Sequence, residues 1–425
     1  MDKEQEFAKY VSALAVTLEH ADRVEPLGDY CRGLMLSGDR KSVEPMAALV
    51  APRRASAKHQ SMHHFVAKAE WSDTALLAAV RQAVLPALGA IEAWIVDDTG
   101  YPKKGTHSVG VARQYCGQLG KQDNCQVAVS VSVANERSSL PIGYQLYLPR
   151  EWAEDAARRK KTEVPTRVGF ATKGAIALEQ LRAARDARVP VGVVLADAGY
   201  GNDSGFRLGI RALGLTYAVG IQSSTTVWAE GHEPLPPRPY AGRGFPAKRL
   251  RRNRTHQPID ANSLAHELPG RTWRRIEWRE GTDGVLASRF ARVRVRAAHR
   301  DHVHPEEWLV IEWPLAEIEP TKYWLTTLPP SIAFQELVRL IKLRWRIERD
   351  YQELKQELGL GHYEGRNWRG FHHHATLTIA AYGFLMRARL TGRAKKNAAL
   401  RPSEPLLRLP PRPKNFIPRG SPRAA

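Results

Sequence analysis

The 425-residue chain has only three cysteines, Cys31, Cys116 and Cys125. That odd number includes no C-x-x-C pair to chelate zinc or form a redox couple, which fits a reduced cytosol. Long apolar runs are missing as well: no stretch of about 18 such residues occurs, so no membrane span is expected. The opening MDKEQEFAKY starts with charges instead of a basic-then-apolar leader, and secretion is not expected either. There is no Walker-A lysine motif, and Gly199-x-Gly201-x-x-x-Gly205 lacks the spacing of a dinucleotide loop, which makes it a turn. Acidic residues are scarce too: 44 Asp and Glu against 64 Lys and Arg leave a net charge of +20.

That excess gives long-range attraction to phosphates and a binding strength that falls steeply with salt, so a polyanion is the expected partner. The basic residues are spread through folded-looking segments, not gathered in one tail or one amphipathic helix. This ranks a ribosome-associated protein or a membrane-surface binder lower. At 43% hydrophobic, the chain can bury one large core or two to three ordinary ones of roughly 150 residues each.

Residues 1–88 have a helical rhythm. EFAKYVSALAVTL and LLAAVRQAVLPAL carry apolar residues at three-to-four spacing, the second ending before Gly89. Between them, SGDRKSVEPMAALV and KHQSMHHFVAKAEW set polar and basic residues around short apolar runs. A small bundle with polar loops accounts for this, and the overall charge tips the reading toward DNA contact. Over 89–220 the pattern changes to strands: IEAWIVDDT, CQVAVSVSVA and PIGYQLYLP. The helix KGAIALEQLRAARDA, the buried strand VPVGVVLADAGY, the helix FRLGIRALG and the strand LTYAVGI follow. Three strands, helix, strand, helix, strand is the order of a ribonuclease-H-like α/β core. The expected fold class is therefore α/β, a ribonuclease-H-like mixed sheet with a helical N-terminal domain and an inserted β-rich domain.

The insertion is expected at 221–322, where TTVWAE, RTWRRIEWRE, SRFARVRVRAA and EEWLVIEWPL all read as strands. It contains a Pro/Gly loop holding Arg238, Arg243, Lys248, Arg249, Arg251, Arg252 and Arg254, and a period-two row of Arg292, Arg294 and Arg296. Both are candidate phosphate tracks, although a row of arginines on a strand is also a common solvated face. Residues 323–390 return to the core, with helices expected over 333–358 and 374–389. The last 35 residues, 391–425, hold seven prolines and nine Lys/Arg against one Glu. They read as a disordered basic tail that adds non-specific DNA affinity.

Asp97 and Asp98 stand where the apolar run AWIV ends, and Asp197 ends VGVVLA. Carboxylates at the ends of buried strands cost desolvation energy unless a cation compensates, and metal ions do so simply. Taken singly, each is as well explained as a cap or turn former before the glycine of DDTG or DAGYG. The third piece is LIKLRWRIERDYQELKQELGLGHYEGR. At about 100° per residue, Arg344, Glu348 and Lys355 share one helix face. A carboxylate ligand flanked by phosphate-gripping cations is one reading, and an exposed helix laced by i,i+4 pairs is the other. His372, His373 and His374 point in different directions on a helix and are expected to pack, cap or contact DNA. Trp228 and Trp368 are candidates to stack on unpaired bases, with core packing the commoner fate.

Taken together, three carboxylates separated by 99 and 151 residues, on two strands and a late helix with a β insertion between, resemble the architecture of DDE transposases. R-x3-E-x6-K at Arg344, Glu348 and Lys355 resembles the Y-R-E-K signature of insertion-sequence transposases, and DDTG and DAGYG resemble that group's two Asp blocks. YCRGLMLSGDRKSVEPMA, HQSMHHFVA, GVARQYCGQLGKQDNCQVAVS and EGRNWRGFHHHATL are similar to one branch of it, so the likeness runs from about residue 30 to 385. The signature's tyrosine falls at Ile341, which removes whatever contact it makes to DNA.

The resemblance implies two-metal phosphoryl transfer, with Mg2+ ions (Mn2+ able to substitute) held by Asp98, Asp197 and Glu348. Asp97 is the alternative first carboxylate; the aspartate directly before Thr99 aligns better with the family motif. It further implies that Arg344 and Lys355 grip phosphates near the scissile bond. The expected partner is double-stranded DNA, both transposon ends and target, bound by a homodimer in the bacterial cytoplasm at the nucleoid. Two rivals remain: a structure-specific nuclease of the same fold, and an inactive transposase-derived DNA-binding protein.

Overall fold

The computed structural model describes residues 3–398 apart from 241, 243, 244, 246, 282 and 283. Most of the expected basic tail, from 399 on, lies outside the described residues. Five α-helices open the chain: α1 (Lys3–Ala15), α2 (Val24–Met35), α3 (Val43–Val50), α4 (Ala55–Ala67) and α5 (Asp73–Leu88). In α1 the buried positions are Phe7, Tyr10, Val11 and Leu14, the one-face spacing of an amphipathic helix. The Ser72 hydroxyl caps α5 by accepting from the Ala75 amide at 3.1 Å, and the helix stops at Gly89, whose φ of +82° suits glycine.

Strands β1 (Ala93–Pro102), β2 (Ala112–Cys116), β3 (Lys121–Ala134) and β4 (Ser139–Leu146) follow, with β3 antiparallel to the other three. The helices α6 (Arg150–Ala153), α7 (Ala156–Lys161) and α8 (Lys173–Asp186) lead to β5 (Val193–Ala196). Next come α9 (Ala198–Gly201), α10 (Ser204–Ala212) and β6 (Tyr217–Ile221). β5 runs parallel to both β1 and β6. The spatial order β4-β3-β1-β5-β6 is the ribonuclease-H-like sheet expected from the sequence. β1 and β5 are buried on both faces at Ala93–Val96 and throughout VVLA, as centrally placed parallel strands are.

The inserted segment contributes β7 (Thr226–Ala229), β8 (Ile259–Asp260), α11 (Ala261–Glu267), β9 (Arg274–Gly281), β10 (Gly284–Ala297) and β11 (Glu307–Trp313), and β12 (Lys322–Thr326) follows where the chain returns to the core. These strands extend the core sheet. β12 pairs with β6, and the path continues β12-β11-β10-β7-β8 within one sheet. Arg292 and Arg294 both lie over the Trp308 ring, at 4.7 and 4.9 Å, while Arg296 donates to the His304 carbonyl at 2.9 Å. This row therefore spends much of its charge inside the molecule.

The chain then forms α12 (Phe334–Lys342), α13 (Trp345–Gln352), a π-helical turn at Glu353–Glu357 and α14 (Trp368–Ala398). α14 is the axle of the N-terminal bundle. The Tyr10 hydroxyl donates to the Ala380 carbonyl at 2.9 Å, the Tyr30 hydroxyl meets His374 Nδ1 at 2.9 Å, and His373 stacks on Trp71 with ring centres 3.6 Å apart. All three consecutive histidines are buried and hydrogen-bonded to backbone or tyrosine, so they pack. Trp228 and Trp368 are also buried, against His256 and His372. One continuous hydrophobic core runs from Phe7 to Leu390. Among the described residues no helix is long and apolar enough to cross a membrane.

Candidate active site

β1 and β5 deliver the aspartates to one end of the sheet. Their parallel register pairs Ala93, Trp94 and Ile95 with Val193, Val194 and Leu195. Continued by two residues, it sets Asp197 beside Asp97, one strand spacing of about 4.8 Å away. Alternation along β1 sends Asp97 and Asp98 to opposite faces.

Asp97 looks toward α13. Its cross-strand partner Ser130 meets the Tyr351 hydroxyl at 2.6 Å, and its own Oδ2 lies 3.6 Å from Arg344 Nη1. The side chain is 18% exposed. Burial, reinforced by the charges of Asp197 and Asp98, pushes this carboxyl up to about 7, although Arg344 and the Asp98 amide pull the other way. Asp98 looks toward α8: its Oδ2 accepts from Lys173 Nζ at 2.8 Å and from the Tyr200 hydroxyl at 3.4 Å.

Asp197 caps α9, its Oδ1 accepting from the amides of Gly199 at 2.9 Å and Tyr200 at 3.4 Å. The capping role is thus real, and it leaves Oδ2 without a hydrogen bond among the described residues. The DAGYG glycines have a packing reason. A Cβ at Gly201 would stand 1.9 Å from the Gly220 carbonyl oxygen on β6, so only glycine lets this turn lie against the sheet.

Arg344 and Lys355 both reach back to β1. Lys355 Nζ donates to the Gly100 carbonyl at 2.8 Å and sits 5.0 Å from the centre of the Tyr101 ring. Burial lowers its ammonium to about 8, while the charges of Cys116 and Asp97 raise it. Glu348 stands at the rim, its side chain 68% exposed, bonded to Arg344 Nη2 at 3.2 Å. One planar guanidinium contacts both Glu348 and Asp97. Those two contacts keep the carboxylates within about 9 Å of each other.

The structure thus brings Asp97, Asp98 and Asp197 to one end of the sheet with Arg344 beside Asp97, and leaves Glu348 at the rim. Sequence spacing assigned no role to Lys173, Tyr200, Ser130 or Tyr351. The period of two in β1 could have separated Asp97 from Asp98, but nothing in ATKGAIAL signals that Lys173 meets Asp98. Arg249, Arg251, Arg252 and Arg254 lie on the exposed insertion loop and form no ion pair among the described residues. Arg251 is fixed by donating to the Pro236 carbonyl at 2.8 Å. Ile341 is 3% exposed in α12, so the position of the signature's tyrosine faces the core.

The donors gathered here are all carboxylate oxygens, the set that suits Mg2+ or Mn2+. Burial, and after it the charges of Asp197 and Asp98, raise Asp97, and a divalent cation would offset both. Among the described residues no three His, Cys, Asp or Glu side chains stand ready as an ion site, since Glu348 is turned to the rim and held by Arg344.

Comparison with known proteins shows the family. Residues 13–285, which include all three aspartates, match the family described as DDE superfamily endonuclease. Over 167 residues the chain is 31% identical to a probable transposase for insertion sequence element IS701 from Microchaete diplosiphon. That match covers 39% of this chain and 41% of the relative, so the chain spans about two fifths of that protein's length. By its match over most of its length and by its ribonuclease-H-like sheet, the chain belongs to the DDE superfamily of endonucleases.

Proposed function

We propose that the protein is an insertion-sequence transposase that cleaves double-stranded DNA at transposon ends and transfers the strand into target DNA. The observation that carries this reading is the meeting of Asp97, Asp98 and Asp197 at the ends of adjacent parallel strands, faced by Arg344 and Lys355 from a late helix. Asp197 and Glu348 act with one aspartate of β1. Asp98 is the one the family motif names, and Asp97 is the one whose face is shared with Arg344 and Glu348.

Divalent ions, when bound, supply the charge that activates the attacking oxygen and stabilises the leaving one. The chain's own residues do the rest. The capped turn at Asp197 fixes that carboxylate on the sheet. Once Glu348 turns inward, Arg344 is released from it and is free to hold a phosphate by two parallel hydrogen bonds. Lys355, anchored on Gly100, offers a point charge beside the strand end. The exposed arginines 249, 251, 252 and 254 extend the contact along the backbone of the DNA. Concerted work on two ends calls for a homodimer on DNA, in the bacterial cytoplasm at the nucleoid.

A plasmid carrying the gene's own flanking DNA, incubated with the protein and Mg2+, tests this. Excision and joined product that vanish for Asp197→Asn support the reading. Binding without any cutting would instead favour an inactive DNA-binding relative, the reading to which the rim position of Glu348 lends some weight. Cutting without joining would favour a nuclease.

A further inference from the structure

A groove of about 570 Å3 opens between the start of α3, the outer side of α4 and the segment 359–367 that links the π turn to α14. Its floor is tied to the active-site end of β1. Lys103 Nζ donates to the Tyr363 carbonyl at 2.9 Å, the Val109 amide donates to the Arg366 carbonyl at 3.0 Å, and the Lys41 amide donates to His362 Nδ1 at 3.0 Å. The lining is basic. His59 and His63 stand one helical turn apart with ring centres 6.0 Å from each other, and Lys161 and Arg366 face the same space. Among the described residues none of these four side chains forms an ion pair. Two of the three lining carboxylates are already engaged, Glu364 by Arg40 and Glu163 by Lys68 at 3.7 Å, which leaves Glu44. Both pairs are exposed, so they hold together weakly and open readily to a competing anion.

We propose that this groove binds the phosphate backbone of duplex DNA flanking the scissile position, an inference that rests on the DNA-cutting role proposed above. Two unpaired cations, Lys161 and Arg366, beside the imidazoles of His59 and His63 along one open cleft suit successive phosphates better than a single small anion. The position fits too. The five residues from Asp98 to Lys103 span roughly 17 Å of extended strand, and a duplex covers that length in about five base pairs. The groove therefore takes the backbone about five base pairs from the cut.

The test uses the full chain and a labelled duplex of arbitrary sequence, without divalent ions, with affinity measured by fluorescence anisotropy from 50 to 300 mM salt. Each phosphate contact contributes about 0.9 to the slope of log affinity against log salt. The double variant Lys161→Gln, Arg366→Gln changes two exposed side chains. It should lower that slope by about 2 and weaken binding at least several-fold, with its melting temperature unchanged. Wild-type binding with the same slope and affinity in the double variant would overturn the groove while leaving the DNA-cutting role intact. Failure of the wild type to bind duplex at all would overturn that role, and the groove with it. If the double variant melts early, Lys161→Arg with Arg366→Lys, which keeps both charges, must restore the slope for the proposal to stand.

Discussion

Asp97 and Asp98 stand side by side in β1 yet serve opposite faces of the sheet: Asp97 Oδ2 lies 3.6 Å from Arg344, and Asp98 Oδ2 lies 2.8 Å from Lys173. Because the Glu348 helix lies on the Asp97 side, the geometry predicts that Asp97 is the ion ligand of the pair. Asp97→Asn should weaken Mn2+ binding by about ten-fold or more, roughly 1.4 kcal/mol, while Asp98→Asn keeps most of it. Free Mn2+ measured by electron paramagnetic resonance, without DNA, reads this directly. With Asp97 pushed up to about 7, binding the ion releases a proton near neutrality. Affinity should therefore rise between pH 6 and 8 and flatten in Asp97→Asn. The opposite ranking of the two variants would return the role to Asp98.

Arg344 contacts both Asp97 and Glu348, the two carboxylates between which the proposed ion would bind. It should therefore compete with the ion and yet help the reaction. The Arg344–Glu348 pair, in which the carboxylate is 68% exposed, is worth about 0.2–1 kcal/mol. Arg344→Ala should thus tighten Mn2+ binding in the absence of DNA by about two- to five-fold while lowering DNA cutting steeply. A variant that lost both would show that the arginine builds the site instead of guarding it.

Gly201 is the residue on which the second aspartate's position depends. A methyl group there meets the Gly220 carbonyl oxygen at 1.9 Å and the Val219 Cβ at 3.0 Å, backbone and core atoms with no room to yield. Gly201→Ala is expected to cost about 3 kcal/mol in chemical denaturation and to disturb Asp197 even in protein that folds. Gly214→Ala offers a contrast, because a Cβ at Gly214 meets nothing within 4 Å and its cost comes only from a φ of +70°.

Much of this fold could be read from short-range pattern. The three-to-four spacing of EFAKYVSALAVTL gave α1, strict alternation gave β3, and the all-apolar VGVVLA gave a central parallel strand. Pairing partners were not legible, because a strand's alternation says which face is buried but not beside which strand it lies. Hence the inserted strands read as a separate unit, although β11, β10, β7 and β8 join the core sheet through β12. The stretch 333–358 reads as one helix because its residues are good helix formers throughout. The break at Leu343–Arg344 and the π turn at Glu353–Glu357 coincide with long-range contacts, Arg344 to Asp97 and Lys355 to Gly100, which local propensity does not encode. The three carboxylate blocks were visible as motifs. The cations that hold them were not, since Lys173 lies 75 residues from Asp98 in a segment with no distinguishing spacing.

Asp350 makes a further demand on α13, two residues beyond Glu348 and on the opposite side. It is buried to 2% exposure, accepts from the Ser139 hydroxyl at 2.5 Å and from the Tyr382 hydroxyl at 3.0 Å, and so pins the helix to β4 and α14. Burial pushes its carboxyl up to about 7, against the pull of those two hydroxyls. A carboxyl whose folded value lies above its unfolded value of about 3.9 favours folding fully below that value and loses this contribution as pH rises through about 7. The native protein should therefore lose up to about 4 kcal/mol from this group between pH 4 and pH 8. Asp350→Asn keeps an acceptor oxygen for one hydroxyl and has no proton to lose, so its stability should be flatter over the same range. Urea denaturation at pH 5 and pH 8 decides the matter: the variant should be the less stable at pH 5 and close the gap at pH 8. A gap that stays constant would mean that Asp350 is ionised throughout and that its two hydroxyl partners outweigh the cost of burying the charge.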